Sequence, residues 1–334
     1  DANTTANGNT AVGYGVLTDN TTGTFNAAVG MDCLSDNTTG SYNTAMGRMT
    51  MLRNTSGAQN VAVGSEALMV NTTGSYHVAM GWLALGANTT ASVNTAVGSW
   101  ALHTNSTGSS LTACGHNSLG KNTTGGSNTA TGNYALHENT SASNNTAVGT
   151  SALQDCTTGA QNTAVGQQAL RNSTTSNGMT AVGRNALGSI TAATNCTAVG
   201  ENAGDAKQTG DSLTAVGRNC LSAATGNDNT AVGTNAGLNI TDGNNNTAMG
   251  HYAQMLHNVS NNTMIGEMAG YNTSGSNNTA LGQGSLTSRS GSNNTCIGQS
   301  SNTSADGSSN QITLGDGNIS TLRCNQTSIS SLSD

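Results

Sequence analysis

Proline is absent from this chain of 334 residues, aromatics make up 3% of it and charged residues 7%. Apolar residues reach 34%, below the roughly 45–50% of a globular domain. So little apolar bulk cannot build one large round core, but it suffices for a thin core drawn out along a rod. The formal net charge is −7, with no basic patch and no interleaving of aromatic with basic residues, so nucleic acid is not an expected partner. No apolar run approaches the roughly twenty residues of a membrane span, and no membrane insertion is expected. The seven cysteines are odd in number and lack metal-ligand spacing, so neither a disulfide framework nor a metal centre is expected. Cys33, Cys114, Cys220 and Cys296 read instead as small apolar side chains. The motif G-G-x-G-x-D of calcium-binding β-rolls, a phosphate-binding loop and a Ser-His-Asp arrangement are all missing, so no cofactor and no metal are expected. Residue 1 is Asp, as expected of a processed chain or a segment of a longer one.

What the chain has in quantity is glycine, 44 residues of it. Nineteen of these mark a beat: every seventeenth residue from Gly13 to Gly217, then Gly233, Gly250, Gly266, Gly282, Gly298 and Gly315 at sixteen or seventeen. Around each lies a version of N-T-A-V-G-x-x-A-L-x-x-N-T-T-G, as at Asn162-Thr163-Ala164-Val165-Gly166. A repeat this regular overrides the two domains that the length alone would suggest. The organisation expected is one array over residues 1–315 and a non-repeating segment, 316–334.

The columns of the repeat point to an all-β fold, a parallel β-solenoid (β-roll or β-helix) of about nineteen coils. Helix formers are scarce, while glycine, threonine and β-branched residues are dense. T-A-V reads as one short strand, with Thr and Val on one face and Ala on the other. The segment ending in A-L reads as a second strand. The glycine between them turns a tight corner with positive φ, and N-T-T-G turns the return corner. Stacked at about 4.8 Å per coil, nineteen coils span roughly 90 Å. In this register Val148, Val165 and Val182 are expected inside with Leu153, Leu170 and Leu187, and Arg184, Glu201 and Arg218 outside. The Ala column (Ala147, Ala164, Ala181, Ala198, Ala215), or the flat wall behind it, is expected to meet its counterparts in two other chains, giving a homotrimer.

The N-T-A-V-G-x-x-A-L beat resembles the head repeats of trimeric autotransporter adhesins, which implies trimeric left-handed parallel β-rolls. The C-terminal stretches Ile312-Thr313-Leu314-Gly315, Thr321-Leu322-Arg323-Cys324 and Ile329-Ser330-Ser331-Leu332-Ser333-Asp334 resemble the junction before the endosialidase-type intramolecular chaperones of viral tail fibres and tail spikes. That resemblance implies a precursor that cuts itself at a Ser-Asp bond, with Ser333 supplying the hydroxyl and Asp334 starting the released chaperone. It also implies that residues 316–334 intertwine with two partner chains.

Other chemistry is thin. A glycosidase needs two carboxylates about 5–10 Å apart, and only Asp32 with Asp36 and Glu201 with Asp205 come near that pattern. The column just after the glycine accepts His116, His251, Arg48, Glu267 and Trp82 alike, as a water-facing column does. Tyr14, Phe25, Tyr42, Tyr76, Trp82 and Trp100 crowd the first third, where exposed rings would suit a host glycan or receptor, or simply fill gaps. Asn3, Asn20, Asn37, Asn54, Asn71, Asn88, Asn105, Asn122 and Asn139 all match the N-glycosylation pattern, although Asn-x-Thr is equally good turn chemistry. The reading that follows is a non-enzymatic extracellular fibre, the shaft or tip of a trimeric viral tail fibre. Its alternative is a cell-surface adhesin or secreted, N-glycosylated fibril. An ice-binding solenoid fits less well, because T-A-V offers one Thr per row beside a Val expected inside.

Overall fold

The computed structural model describes residues 5–205 and 211–320. Over these the chain is all-β: a single parallel sheet of nineteen strands of three residues each, from β1 (Thr10–Val12) to β19 (Ile312–Leu314). Each coil contributes one strand, and each strand pairs in register with the next, as Thr163, Ala164 and Val165 do with Thr180, Ala181 and Val182. One beat is one coil. Like therefore stacks on like, and a one-residue slip would turn every side chain to the wrong face.

The corner glycine does what the beat requires. Gly166 has φ +133°, and a Cβ there would sit 2.5 Å from the carbonyl oxygen of Gly183 in the next coil. Conformation and space thus both demand glycine.

Two expectations are corrected. The A-L segment is not a strand. Ala152 and Leu153 are neighbours and both fully buried, which alternating strand geometry forbids. The backbone resolves the conflict by putting the leucine in the left-handed region: Leu153, Leu170 and Leu187 all have φ 51°. The residue two before that leucine is also left-handed, as at Trp100 (φ 63°) and Tyr134 (φ 56°). Such conformers cost about 1–2 kcal/mol each for a non-glycine residue. Here they are over-determined by inter-coil hydrogen bonds, Leu153 N–H to Ala169 O and Asp155 N–H to Arg171 O, both 2.9 Å. The second wall is therefore a hydrogen-bonded ladder of turns.

The second correction concerns the faces of the strand. The parity is right, with Thr and Val together and Ala opposite, but the assignment inverts. Ala147, Ala164, Ala181, Ala198 and Ala215 are 0% exposed within their own chain, while Val148, Val165 and Val182 are 37%, 36% and 37% exposed. The leucines fill the coil's interior from the opposite wall, so beside a leucine the strand has room inside for little more than a methyl group; where Gly270 stands in the leucine's place, Met264 fills the space. The Ala column thus packs intramolecularly and is closed to any partner. Leu153, Leu170 and Leu187 are buried as expected. Arg184 and Arg218 are exposed and Glu201 is half-buried.

Candidate functional site

The asparagine columns are the most ordered polar feature of the interior. Asn20, Asn37, Asn54, Asn71, Asn88, Asn105, Asn122 and Asn139 are all at most 2% exposed. Each amide from Asn37 onward donates to the Oδ1 of the preceding coil: Asn37 to Asn20 at 2.8 Å, Asn54 to Asn37 at 2.7 Å, Asn71 to Asn54 at 2.8 Å. The same Nδ2 also donates to a backbone carbonyl three residues on, Asn54 to Gly57 at 2.9 Å. From Asn37 to Asn139 the seven side-chain amides thus have both N–H bonds engaged in the folded coil, and Asn20 Nδ2 donates to Gly23 O. Their local geometry is that of the turn, which the pattern served equally well. Asn3, Ser333 and Asp334 lie outside the described residues.

A second asparagine ladder, four places before each corner glycine, runs beside the first. Asn43 N–H donates to Asn26 Oδ1 at 2.9 Å, and Asn43 Nδ2 donates to Gly57 O at 2.9 Å. The Gly57 carbonyl thus accepts from both ladders and uses both its lone pairs. His77 takes an asparagine's place in this second column. Its Nε2 lies 2.7 Å from Ala91 O, and its Nδ1 accepts from Asn94 N–H at 3.3 Å, an arrangement that needs the neutral Nε2–H tautomer. Burial pushes its pKa below the ordinary value, which keeps it uncharged. The signal for this column is the period: Asn26, Asn43 and Asn60 recur at seventeen, although His77, Leu111, Met179, Cys196 and Leu213 interrupt the column further on.

Asp205 is held by Ser189 and raised by desolvation, while Glu201 pairs with Arg184 across the coil boundary. Among the described residues no group of three or more His, Cys, Asp or Glu side chains could hold a metal, and no helix is long and apolar enough to cross a membrane. Cys33, Cys156 and Cys220 are buried, and desolvation raises their thiols to about 11, 11 and 12; they are inert core atoms. Cys114 alone among the described cysteines is exposed.

What remains on the outside is the sheet itself. Its outer face carries two straight columns, Thr and Val, in the paired register of the strands. The Val column stays exposed at Val199, Met249, Leu281, Ile297 and Leu314, so an apolar stripe follows the rod for most of its length. Comparison of the chain with protein-family models, with curated proteins and with solved structures returns no match.

Proposed function

We propose that this protein is a structural, non-enzymatic extracellular fibre, the shaft or tip of a trimeric viral tail fibre that attaches to a host surface. The observation that carries the reading is the stripe of exposed and half-buried Val, Met, Leu and Ile along most of the outer face of a nineteen-strand sheet, broken at Cys114 and Thr131. A monomeric soluble protein rarely leaves so long an apolar surface uncovered. Two further copies would cover it, each laying the same stripe against its neighbours about a shared axis. This places the trimer seam on the Val column in place of the Ala column. The reading also draws on the resemblance of the C-terminal residues to a chaperone junction.

Native mass spectrometry tests it: three times 33.2 kDa is expected. Val165→Asp with Val182→Asp puts charges on the seam but on no buried site, so these changes should dissociate the assembly and leave the circular dichroism of the coils intact. A monomer in the unmutated protein sinks the trimer. Added hexose mass on intact material would favour the alternative, a secreted glycosylated fibril.

One observation favours a second reading. Because Val points outward with Thr, the outer face is a flat array of Thr and Val at fixed spacing, and the ground for setting an ice-binding solenoid aside falls. Thermal hysteresis or inhibition of ice recrystallisation by the monomeric form would support it; freezing behaviour equal to that of albumin would exclude it.

A further inference from the structure

The outer corner of the rod is lined by the residues one, two and five places after each corner glycine. In the fifth-place column Leu52, Met69, Gly86, His103, Gly120 and His137 follow one another, one per coil. Glycine at 120 leaves a gap one coil wide between His103 and His137. The second-place column frames the same gap, with Asn117 at its floor between Trp100 and Tyr134. The result is a notch of 440 Å³ bounded by Trp100, His103, His116, Asn117, Tyr134 and His137, inside the range of about 300–1,000 Å³ typical of small-ligand clefts.

Its walls are preassembled. Trp100 leans on His103 with centroids 4.3 Å apart and the rings tilted by 52°, Tyr134 meets His137 at 5.1 Å, and His116 stands edge-on to Tyr134 at 5.6 Å. The left-handed backbone at Trp100 and Tyr134, fixed by the ladder, holds both rings. Trp100 and Tyr134 are two coils apart, roughly 10 Å, which is room for one saturated six-membered ring with its substituents. Lys121 at the rim donates to both oxygens of Glu138, at 2.8 and 2.7 Å, so the rim carries no spare charge.

We propose that this notch binds a pyranose ring of a neutral oligosaccharide. A sugar ring has an apolar C–H face that rests on the negative face of an indole or phenol, and hydroxyls that imidazole and amide groups can bond at the edge. Rings already held in place spare much of the ordering cost of binding. A glycine five places after the corner makes the gap, and its neighbours set the chemistry. At Gly188 the same gap is lined by Gln168, Arg171, Asn185, Ser189 and Asp205, holds 150 Å³ and has no ring, so it serves as an internal control. The proposal rests on the host-attachment reading only for the source of the sugar; ring geometry carries the rest.

The chain has only two tryptophans, Trp82 and Trp100. Trp82→Phe therefore makes Trp100 the sole indole reporter. Its emission is titrated with maltotriose, cellotriose, chitotriose and mannotriose, with the non-fluorescent adenosine and cytidine as planar aromatic controls. At least one trisaccharide should shift the emission saturably. Gly120→Leu, which fills the notch with the residue found at Leu52, and Tyr134→Ala should each weaken that binding about tenfold or more, roughly 1.4 kcal/mol. Gly188→Leu should leave it unchanged. If Gly120→Leu misfolds by circular dichroism, Tyr134→Ala decides alone. No response to any trisaccharide, unchanged binding in Tyr134→Ala, or saturation by the planar compounds alone overturns the proposal. Assembly is read separately by native mass, so a monomer that binds the sugar rejects the trimer and leaves this site standing.

Discussion

Replacing Asn54 and Asn71 by alanine, singly and together, tests whether the first ladder acts as one connected chain of amides. Asn54 Nδ2 donates to Asn37 Oδ1 at 2.7 Å and to Gly57 O at 2.9 Å, and its Oδ1 accepts from Asn71 Nδ2 at 2.8 Å. With Asn54→Ala, Gly57 O keeps Asn43 and Asn71 keeps Gly74 O. Two buried atoms lose their partners: Asn37 Oδ1 and one N–H of Asn71. At about 1–3 kcal/mol for each orphaned buried group, the change costs roughly 2–6 kcal/mol. Asn71→Ala likewise strands Asn54 Oδ1 and one N–H of Asn88, which donates to Asn71 Oδ1 at 2.9 Å. The double substitution strands only Asn37 Oδ1 and the Asn88 N–H, again two groups. Its hydrogen-bond cost should therefore equal that of one single substitution, with a coupling of about 2 kcal/mol or more in favour of the double. In a repeat array stability is local, so the quantity to measure is the opening free energy from hydrogen exchange over residues 37–88, with residues 247–297 as reference. Additive costs, or singles within about 0.5 kcal/mol of the unmutated protein, would refute the connected ladder.

Other predictions are more local. His77 is neutral in the fold, with its pKa lowered by burial from 6.5. The unfolded chain therefore binds more protons as pH falls below 6.5, and stability present above that value is lost towards the lower folded value. His77→Asn, which restores the ladder residue, should reduce this loss in urea melts between pH 6.5 and 5; an unchanged pH slope would contradict the neutral ladder histidine. In native protein, iodoacetamide followed by peptide mapping should leave Cys33, Cys156 and Cys220 unlabelled until urea is added, because burial holds those thiols protonated, while Cys114, which stands in the Val column, should label slowly in the assembled trimer and quickly once the seam is opened. Rapid native labelling of Cys156 would mean that the coils open far more easily than their hydrogen bonding implies.

The sequence by itself determined the period, the corner and the stacking. A glycine every sixteen or seventeen residues, the usual Leu four places later and the T-A-V strand lead to one coil per beat, in-register parallel pairing and a buried leucine column, as found at Leu153, Leu170 and Leu187. Alternation also fixed Thr and Val on one face and Ala on the other. Which face points inward was not legible, because hydrophobicity favours Val while the answer depends on how far apart the two walls stand. Only the closed coil sets that distance, and it leaves room for the methyl of Ala164 and none for Val165. The Ala-Leu pair misled for a related reason: two adjacent buried residues look like the end of a strand, and only a left-handed leucine lets both turn inward. Asn-x-Thr reads equally as a turn, a glycan acceptor or a ladder rung, since all three use the same atoms. The choice falls to the stacking of coils, which brings Asn37, Asn54 and Asn71 within 2.8 Å of one another's amides and away from water. The notch is tertiary in the same sense: Trp100, Gly120 and Tyr134 stand on three successive coils, with Gly120 twenty residues after Trp100 and fourteen before Tyr134, and only the rise of the solenoid makes them one surface.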